Sequence, residues 1–466
     1  MVIYNTLTKR KEQFKPEQSA VVKIYECGPT VYDFIHIGNA RPLCVFDTLR
    51  RYLTYKGYDV VFVKNFTDVD DKIINRAQNE NISCAVVTQR SINEYCKDAQ
   101  GLKEEVTHRP KATENIAAMQ KIIEKIIENG FAYERSGTIY FRSRKLKEYG
   151  NLSGMVLESL QAGARVPTEE QKEDDLDFAL WKAAKPGEPS WNSPWGAGRP
   201  GWHIECTAMI DEIFGGTIDI HCGGQDLIFP HHENELAQYL AYCGKPLARF
   251  WMHNGFVTVD SEKMAKSRNN FITVRAVAEE FGYLPIRLLM LQAHYRTPIN
   301  YNLDIIKQSA AAAQRIRNCW ELLNGVKVGT NLTQNIEDLK TLKNKFLNEL
   351  EDDFNTASAI GVLFDFMKQV NSNLANASQE YVEVATQFFS EFLYILGLEF
   401  DDVDFCADEE VRQLIKQRED ARFMKDFKKA DELREELKNL GILLEDTISG
   451  VKAKKVNGGK NFGQKN

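Results

Sequence analysis

The sequence predicts an α/β fold: a parallel-sheet core split by an insertion and followed by a mainly α-helical C-terminal half. Three observations predict it. Two short apolar, β-branched runs, Val21–Glu26 and Asp59–Lys64, flank the amphipathic segment ARPLCVFDTLRRYLTYKG, the order of a parallel sheet with a crossover helix. Sheet-type patterning then disappears and returns at Thr217–His221, followed by a helix from His231 to Cys243. Beyond about Leu303 the chain reads as helical almost throughout.

Taken in order, Val21–Glu26 suits a buried strand, and Cys27-Gly28-Pro29-Thr30 is the turn that leaves it. His36-Ile37-Gly38-Asn39 leads into the amphipathic helix, which stops at Gly57. Asp59–Lys64 is the second strand, and Asn65-Phe66-Thr67-Asp68 reads as the N-cap of another helix. Thr113–Asn129 is a helix closed by Gly130. From there to about Gly198 the pattern is irregular. The acidic run Glu169–Asp177 and the Pro/Gly/Trp-rich AKPGEPSWNSPWGAGRPGW read as an inserted lobe. The last stretch, Gly441–Asn466, reads as a turn-rich tail that frays.

At 466 residues the chain has room for two to four domains, and 43% hydrophobic residues suffice to build their cores. No run of eighteen apolar residues exists, so no membrane span is expected. The N-terminus, MVIYNTLTKRKEQFKP, lacks the apolar core of a secretory signal. Nine scattered cysteines without a CxxC pair read as reduced thiols, which implies a cytoplasmic protein. Of these, Cys44, Cys84, Cys96, Cys243, Cys319 and Cys406 are expected to be buried small hydrophobes, and Cys222 is left open. The net charge of −7 is uneven: from Arg412 onward there are 14 Lys+Arg against 9 Asp+Glu, a net +5, which leaves −12 on the rest. A basic C-terminal module can touch a polyanion, although a solvated helical surface explains the same numbers.

Chemistry concentrates between Gly201 and Glu235, which holds four of the eight histidines and two of the nine cysteines. Soft ligands at this density, with carboxylates alongside, suggest a metal site. His231 and Glu235 are spaced i, i+4 and share one helical face. Gly223-Gly224-Gln225-Asp226 is a glycine turn ending in an acid, an approach site for a sugar or phosphate. His36-Ile37-Gly38-Asn39 falls where a strand gives way to a helix N-terminus, which binds anions. Lys263-Met264-Ala265-Lys266-Ser267, flanked by polar residues, offers two cations and a hydroxyl for a pyrophosphate leaving group. Taken alone, each of the last two is better explained by ordinary structural use.

Their order resembles the paired HIGH and KMSKS signatures of the class I aminoacyl-tRNA synthetases, with Asn39 for the last His and Ala265 for the first Ser. Further segments narrow the resemblance to the cysteinyl-tRNA synthetase family. They are Tyr25–Asp33, Asn65–Lys72, Trp181–Cys206, Phe229–Glu235, Asp353–Thr356 and Lys425–Asp446, which together span essentially the whole chain. The family often ends with an aromatic near Val451–Lys454, where this chain reads VKAK. The resemblance implies a class I Rossmann-type catalytic domain in two halves, residues 1–112 and 199–248, around a connective insertion at 113–198. It further implies a stem-contact region with the KMSKS-type loop at 249–305, a helical bundle at 306–405 and an anticodon-binding C-terminal domain at 406–466.

The resemblance also implies one zinc ion per chain, held by Cys27, Cys206, His231 and Glu235, with His232 and Glu233 nearby in structural roles. Thr67, Trp202 and His221 would line the amino-acid pocket. Gly38, Gly223, Gly224, Asp226 and Lys266 would bind ATP, accompanied by Mg²⁺. His36, Asn39, Lys263, Lys266 and Ser267 would serve catalysis. The implied reaction activates L-cysteine as the adenylate and passes it to the terminal adenosine of tRNA(Cys), with the 2′-hydroxyl as nucleophile. The expected enzyme is a monomer with no membrane partner. Zinc makes chemical sense for this substrate, because an apolar pocket separates cysteine from serine by only about 10–200-fold whereas a soft metal prefers the thiolate. Four protein ligands normally close a zinc shell, so the substrate sulfur would enter as a fifth ligand or displace one, Glu235 being the most readily loosened. Two rival readings are a zinc-dependent cysteine:amino-sugar ligase of the same superfamily and a noncatalytic zinc-dependent RNA-binding protein.

Overall fold

Apolar runs that are buried on both faces become the central strands of a parallel sheet. In the computed structural model β1 (Val2–Asn5) and β2 (Arg10–Gln13) form an antiparallel hairpin, and β3 (Val21–Glu26) and β4 (Asp59–Lys64) pair in parallel across α1 (Ala40–Tyr55). The structure describes residues 1–18, 20–155, 172–263, 271–326, 336–400, 409–424, 426–440, 442–447 and 450–455. Lys266, Ser267 and Cys406 lie outside the described residues. Two units separate, Met1–Leu398 and Glu399–Asn466.

Between β4 and the second half of the sheet run α2 (Asp71–Glu80), α3 (Cys84–Gly101) and α4 (Ile116–Glu128). Next comes an antiparallel sheet of β5 (Ala132–Arg135), β6 (Thr138–Phe141), β7 (Phe178–Ala183) and β8 (Gly198–Pro200), in that order. Helix α5 (Trp202–Phe214), β9 (Ile218–Gly224), α6 (Glu233–Cys243) and β10 (Ala248–Asn254) then complete a parallel sheet of order β10-β9-β3-β4. The register sets Tyr25 beside both Val63 and His221, and His221 beside Trp251. The carboxyl ends of all four strands therefore open on one edge, where parallel sheets bind their ligands.

Downstream, β11 (Val257–Val259), β12 (Glu262–Lys263) and β13 (Ile299–Tyr301) form a small sheet around α7 (Val274–Phe281) and α8 (Tyr283–Leu291). Helices α9 (Leu303–Gly325), α10 (Ile336–Glu351), α11 (Thr356–Asn373) and α12 (Gln379–Leu396) make the bundle of the first unit. The second unit contains α13 (Glu409–Phe423), α14 (Phe427–Asn439) and a hairpin of β14 (Ile442–Thr447) and β15 (Gly450–Lys455).

Four sequence expectations need correction. Among the described residues of 130–198, β5, β6 and β7 form an antiparallel sheet rather than an irregular stretch, and aromatic stacking such as Phe141 on Phe178 joins β6 to β7. The cap of α2 is Asp70, whose side chain accepts from the Lys72 N–H, because Phe66 and Thr67 spend their backbone groups on bridges to Lys111 and Thr30. Cys96 and Cys243 are exposed and Cys84 is half-buried, so only Cys44 and Cys319 of the described set are core residues. Of the tail, Ile442–Thr447 and Gly450–Lys455 pair as an antiparallel hairpin, and residues 456–466 lie outside the described residues.

Helix α1 is tied to the bundle by buried charge. Asp47 accepts from Arg51 Nε at 2.8 Å and from Arg287 Nη2 at 2.7 Å, and Arg287 also donates to the carbonyls of Leu102 and Leu396. Those carbonyls end α3 and α12, where helices leave acceptors unpaired. Burial alone would raise the Asp47 carboxyl, but Arg287, Arg51 and Arg50 outweigh it and hold it below the usual carboxylate range. A depressed folded value means stability that is present above the unfolded pKa, about 4, and lost as pH falls through the folded value. Asp47→Asn leaves Arg287 without a counter-charge and is expected to destabilise the first unit by about 3–5 kcal/mol, read as a lowered urea midpoint in tryptophan fluorescence.

Candidate metal centre and active site

Three elements deliver four ligating side chains to the carboxyl edge of the sheet. Cys27 follows β3, Cys206 sits in the second turn of α5, and His231 and Glu235 flank the start of α6. Their ligand atoms all lie within 4.8 Å of one another, an arrangement that could hold a metal ion. Cys27 Sγ lies 3.5 Å from Cys206 Sγ and 3.3 Å from Glu235 Oε1. His231 Nε2 lies 3.0 Å from Glu235 Oε1 and 3.7 Å from Cys206 Sγ. The two sulfurs are too far apart for a disulfide bond of about 2.05 Å.

Electrostatics favours a cation here. Burial, with Cys206 and Glu235 alongside, pushes the Cys27 thiol well up, and burial also raises Cys206. Burial drives His231 well below its ordinary value, so its imidazole is neutral and has a lone pair to offer. His231 Nδ1 lies 2.9 Å from His203 Nδ1, so when Nε2 is the ligating atom Nδ1 carries the proton and donates to His203. A second quartet, Cys27, His221, His232 and Glu235, shares two members with the first. Its His221 Nε2 lies 2.7 Å from Glu235 Oε2, a hydrogen-bond distance, and its His232 Nδ1 is 2.8 Å from His253 Nε2. Both quartets could hold a metal ion, and they share Cys27 and Glu235.

The neighbouring positions follow from the same elements. Thr67 is buried and its hydroxyl donates to Glu205 Oε2 at 2.7 Å. Burial, with Asp68 and Asp70 nearby, holds Glu205 well above the usual carboxylate range. Trp202 is 40% exposed and stacks on His231 with ring centroids 4.1 Å apart, so it faces both the cluster and solvent. His221 is fully buried and stacks on Trp251, and so reaches the pocket through Glu235. Glu233 accepts from the N–H groups of Gly150 and Ser153, a structural use. Cys222 is buried, belongs to neither quartet and points its thiol to the Tyr25 carbonyl. Under the cluster, Lys64 lies 2.6 Å from Glu26 and 2.8 Å from Glu104, which locks the ends of β3 and β4 together.

The first signature segment pairs with residues that lie beyond the second in sequence. His36 and Thr273 form a backbone bridge, the Ile37 N–H donates to Ile272 and the Val274 N–H donates to Ile35. Residues 268–270 separate 271–274 from the KMAKS segment, of which only Lys263, at the end of β12, lies among the described residues. Ile37–Asn39 is a 3₁₀ turn that runs into α1, with the Asn39 side-chain oxygen accepting from the His36 N–H at 3.0 Å. Gly223 and Gly224 end β9 opposite His253 and Asn254, and Asp226 follows, exposed, in a short 3₁₀ turn. A cavity of about 830 Å³ lies on the other side of the β4–α2 turn, lined by Asp68, Asp70, Ile73, Ala77, Ser83 and Trp191, and contains none of the metal donors.

Sequence reasoning missed Glu205, His203 and Asn65. His203 and Glu205 precede Cys206 within the dense segment, so spacing offered a weak signal; Asn65, whose side chain accepts from the Gly28 N–H at 2.8 Å, is read in the sequence only as part of a helix cap and of a family segment.

Residues 13–311 match the family described as tRNA synthetases class I (C) catalytic domain, residues 345–401 a DALR domain, and residues 407–451 the cysteinyl-tRNA ligase anticodon binding domain. The chain is 50% identical over 464 residues to the cysteine–tRNA ligase of Caldicellulosiruptor saccharolyticus, covering 98% of this chain and 100% of that one. It is 49% identical over 469 residues to the cysteine–tRNA ligase of Lachnoclostridium phytofermentans, with the same coverage. Among solved structures, Mycobacterium tuberculosis methionyl-tRNA synthetase in complex with methionyl-adenylate shares the fold with TM-score 0.60 at 14% identity, over 81% of this chain and 90% of that one. The LeuRS of an Agrobacterium radiobacter K84 ternary complex also gives TM-score 0.60, at 12% identity over 83% and 85%.

Gly28 packs so tightly that an added Cβ would fall 1.6 Å from the Asn65 carbonyl oxygen. Gly28→Ala must therefore shift the turn that carries Cys27. Metal analysis of this variant is expected to show clearly less than the bound metal of the wild type.

Proposed function

This chain belongs to the cysteinyl-tRNA synthetases and is a cysteine–tRNA ligase, and from that premise we propose how its residues share the reaction. The observation that carries the proposal is the Cys27, Cys206, His231 and Glu235 cluster beside Thr67 and Trp202.

The donor set suits zinc. Bonds of about 2.3 Å to sulfur and about 2.0–2.1 Å to nitrogen or oxygen put neighbours on a tetrahedron about 3.3–3.8 Å apart. The four contacts here span 3.0 to 3.7 Å. When bound, zinc supplies a soft Lewis acid that prefers a thiolate to a hydroxyl and so separates cysteine from serine. Around it, His203 fixes the tautomer of His231, His221 orients Glu235, and Glu205 sets the Thr67 hydroxyl toward the amino acid. Trp202 covers the open side of the pocket.

Positioning and fixed charge do the rest. His36, Gly38 and Asn39 take ATP phosphates at the start of α1, where free N–H groups favour anions. Gly223 and Gly224 let the nucleotide approach, and Asp226 accepts from the ribose hydroxyls. The cysteine carboxylate attacks the α-phosphate and expels pyrophosphate, whose charge Lys263, Lys266 and Ser267 stabilise, with Mg²⁺ accompanying ATP. The terminal hydroxyl of tRNA(Cys) then attacks the adenylate carbonyl and releases AMP. The division at 1–112, 113–198, 199–248, 249–305, 306–405 and 406–466 assigns these steps to the two catalytic halves and anticodon reading to the last segment. The enzyme is taken as a cytoplasmic monomer. No helix of the described residues is long and apolar enough to cross a membrane. The amino-sugar ligase reading is not favoured, because residues 407–451 match an anticodon binding domain.

The test is cysteine-dependent ATP–pyrophosphate exchange followed by transfer to total tRNA. Both activities are expected; exchange without transfer would support the amino-sugar ligase, and no exchange would refute the assignment. Lys266→Ala should slow exchange by about 10²-fold or more while zinc stays bound.

A further inference from the structure

Arg41 is the second residue of α1 and is fully buried. Among the described residues no carboxylate pairs with it. Its Nη1 donates to the Phe256 carbonyl at 3.2 Å and its Nη2 to the His294 carbonyl at 3.0 Å, while Nε has no partner. This is a costly place for a cation. Burial disfavours the charge, and the first turn of a helix repels it. A hydrophobic residue would fill the same space at less cost, so the guanidinium fork must be there for what it joins.

What it joins are the walls of the nucleotide cleft. One wall is the start of α1 with His36, Gly38 and Asn39. The other is built on β9 and β10. Asn254, at the end of β10, pairs with Gly224, and Gln225 Nε2 donates to the Arg296 carbonyl at 3.3 Å. Residues 254–257 and 294–298 are packed against each other at backbone contact: an added Cβ on Gly255 would lie 2.7 Å from the Arg296 oxygen, and the Gly255 N–H donates to Tyr295 at 2.8 Å. The Phe256 and His294 carbonyls also accept from Ile299 and Thr297, both at 2.9 Å, so Arg41 grips acceptors already fixed in the second wall.

We propose that Arg41 is a positioning residue for ATP: its two hydrogen bonds hold the phosphate-binding start of α1 at a set distance from the wall that carries Gly223, Gly224 and Asp226. The proposal rests on the nucleotide-site assignment above. Arg41 has no exposed surface, so it acts through the residues it joins and not by touching ATP. Its two hydrogen bonds reach neither the amino-acid pocket residues nor the metal donors.

Arg41→Lys and Arg41→Gln in the full-length, zinc-loaded enzyme provide the test, with lysine keeping the charge but not the planar fork. Steady-state cysteine-dependent ATP–pyrophosphate exchange, metal content and thermal midpoint are measured for each. The expected result is a rise in KM for ATP of about tenfold or more for Gln and a smaller rise for Lys. KM for cysteine should stay within about twofold and zinc at one per chain, whatever the thermal midpoint does. A merely structural role would raise both KM values together or lower kcat alone, and either result overturns the proposal, as does an unchanged KM for ATP in both variants. Wild-type enzyme without exchange would instead remove the functional reading itself.

Discussion

Glu235 is the point on which the site depends. One of its oxygens faces Cys27 and His231 and the other takes the His221 ring. Two thiols buried beside a carboxylate are disfavoured as anions, and the raised thiols of Cys27 and Cys206 express that. A bound dication turns the same concentration of donors from a cost into an attraction. The surrounding polar groups then have one common purpose, to keep each donor in one orientation. His203 behind His231 and His221 behind Glu235 both act in this way.

The fold supplies the rigidity this requires. Four parallel strands end on one edge, and two helices deliver Cys206, His231 and Glu235 from the other half of a split domain. Helix α1 extends the same logic. Its first turn follows the proposed nucleotide-binding residues, its middle carries Asp47 into the arginine hub, and its last turns contact the bundle through Tyr52 with Glu351 and Tyr55 with Glu391. The helix that begins at the proposed phosphate site thus ends in the bundle.

Much of this was legible in the sequence, for identifiable reasons. The bounds of β3 and β4 could be read because strands buried on both faces are continuous apolar runs. His231 and Glu235 could be paired from their spacing alone. Cys27 could not, because it reaches the site through sheet register, and only family resemblance pointed to it. Glu205 and His203 looked like ordinary polar residues, since burial is a property of packing and not of residue type. The sheet between Ala132 and Pro200 escaped because its strands are three to six residues long and separated by a long stretch of other chain. The burial of Cys96 and Cys243 was misjudged because a thiol in a helix has no periodic signature of its own.

The central claim is that a metal on this cluster, and not the shape of the pocket, distinguishes a thiol from a hydroxyl. Calorimetric titration of cysteine and serine into zinc-loaded protein, chelator-stripped protein and stripped protein reloaded with zinc tests it most directly. The account predicts a preference for cysteine on the order of 10⁴-fold in the loaded and reloaded forms, falling after stripping toward the roughly 10–200-fold expected of an apolar pocket. A preference that survives complete removal of zinc would contradict it.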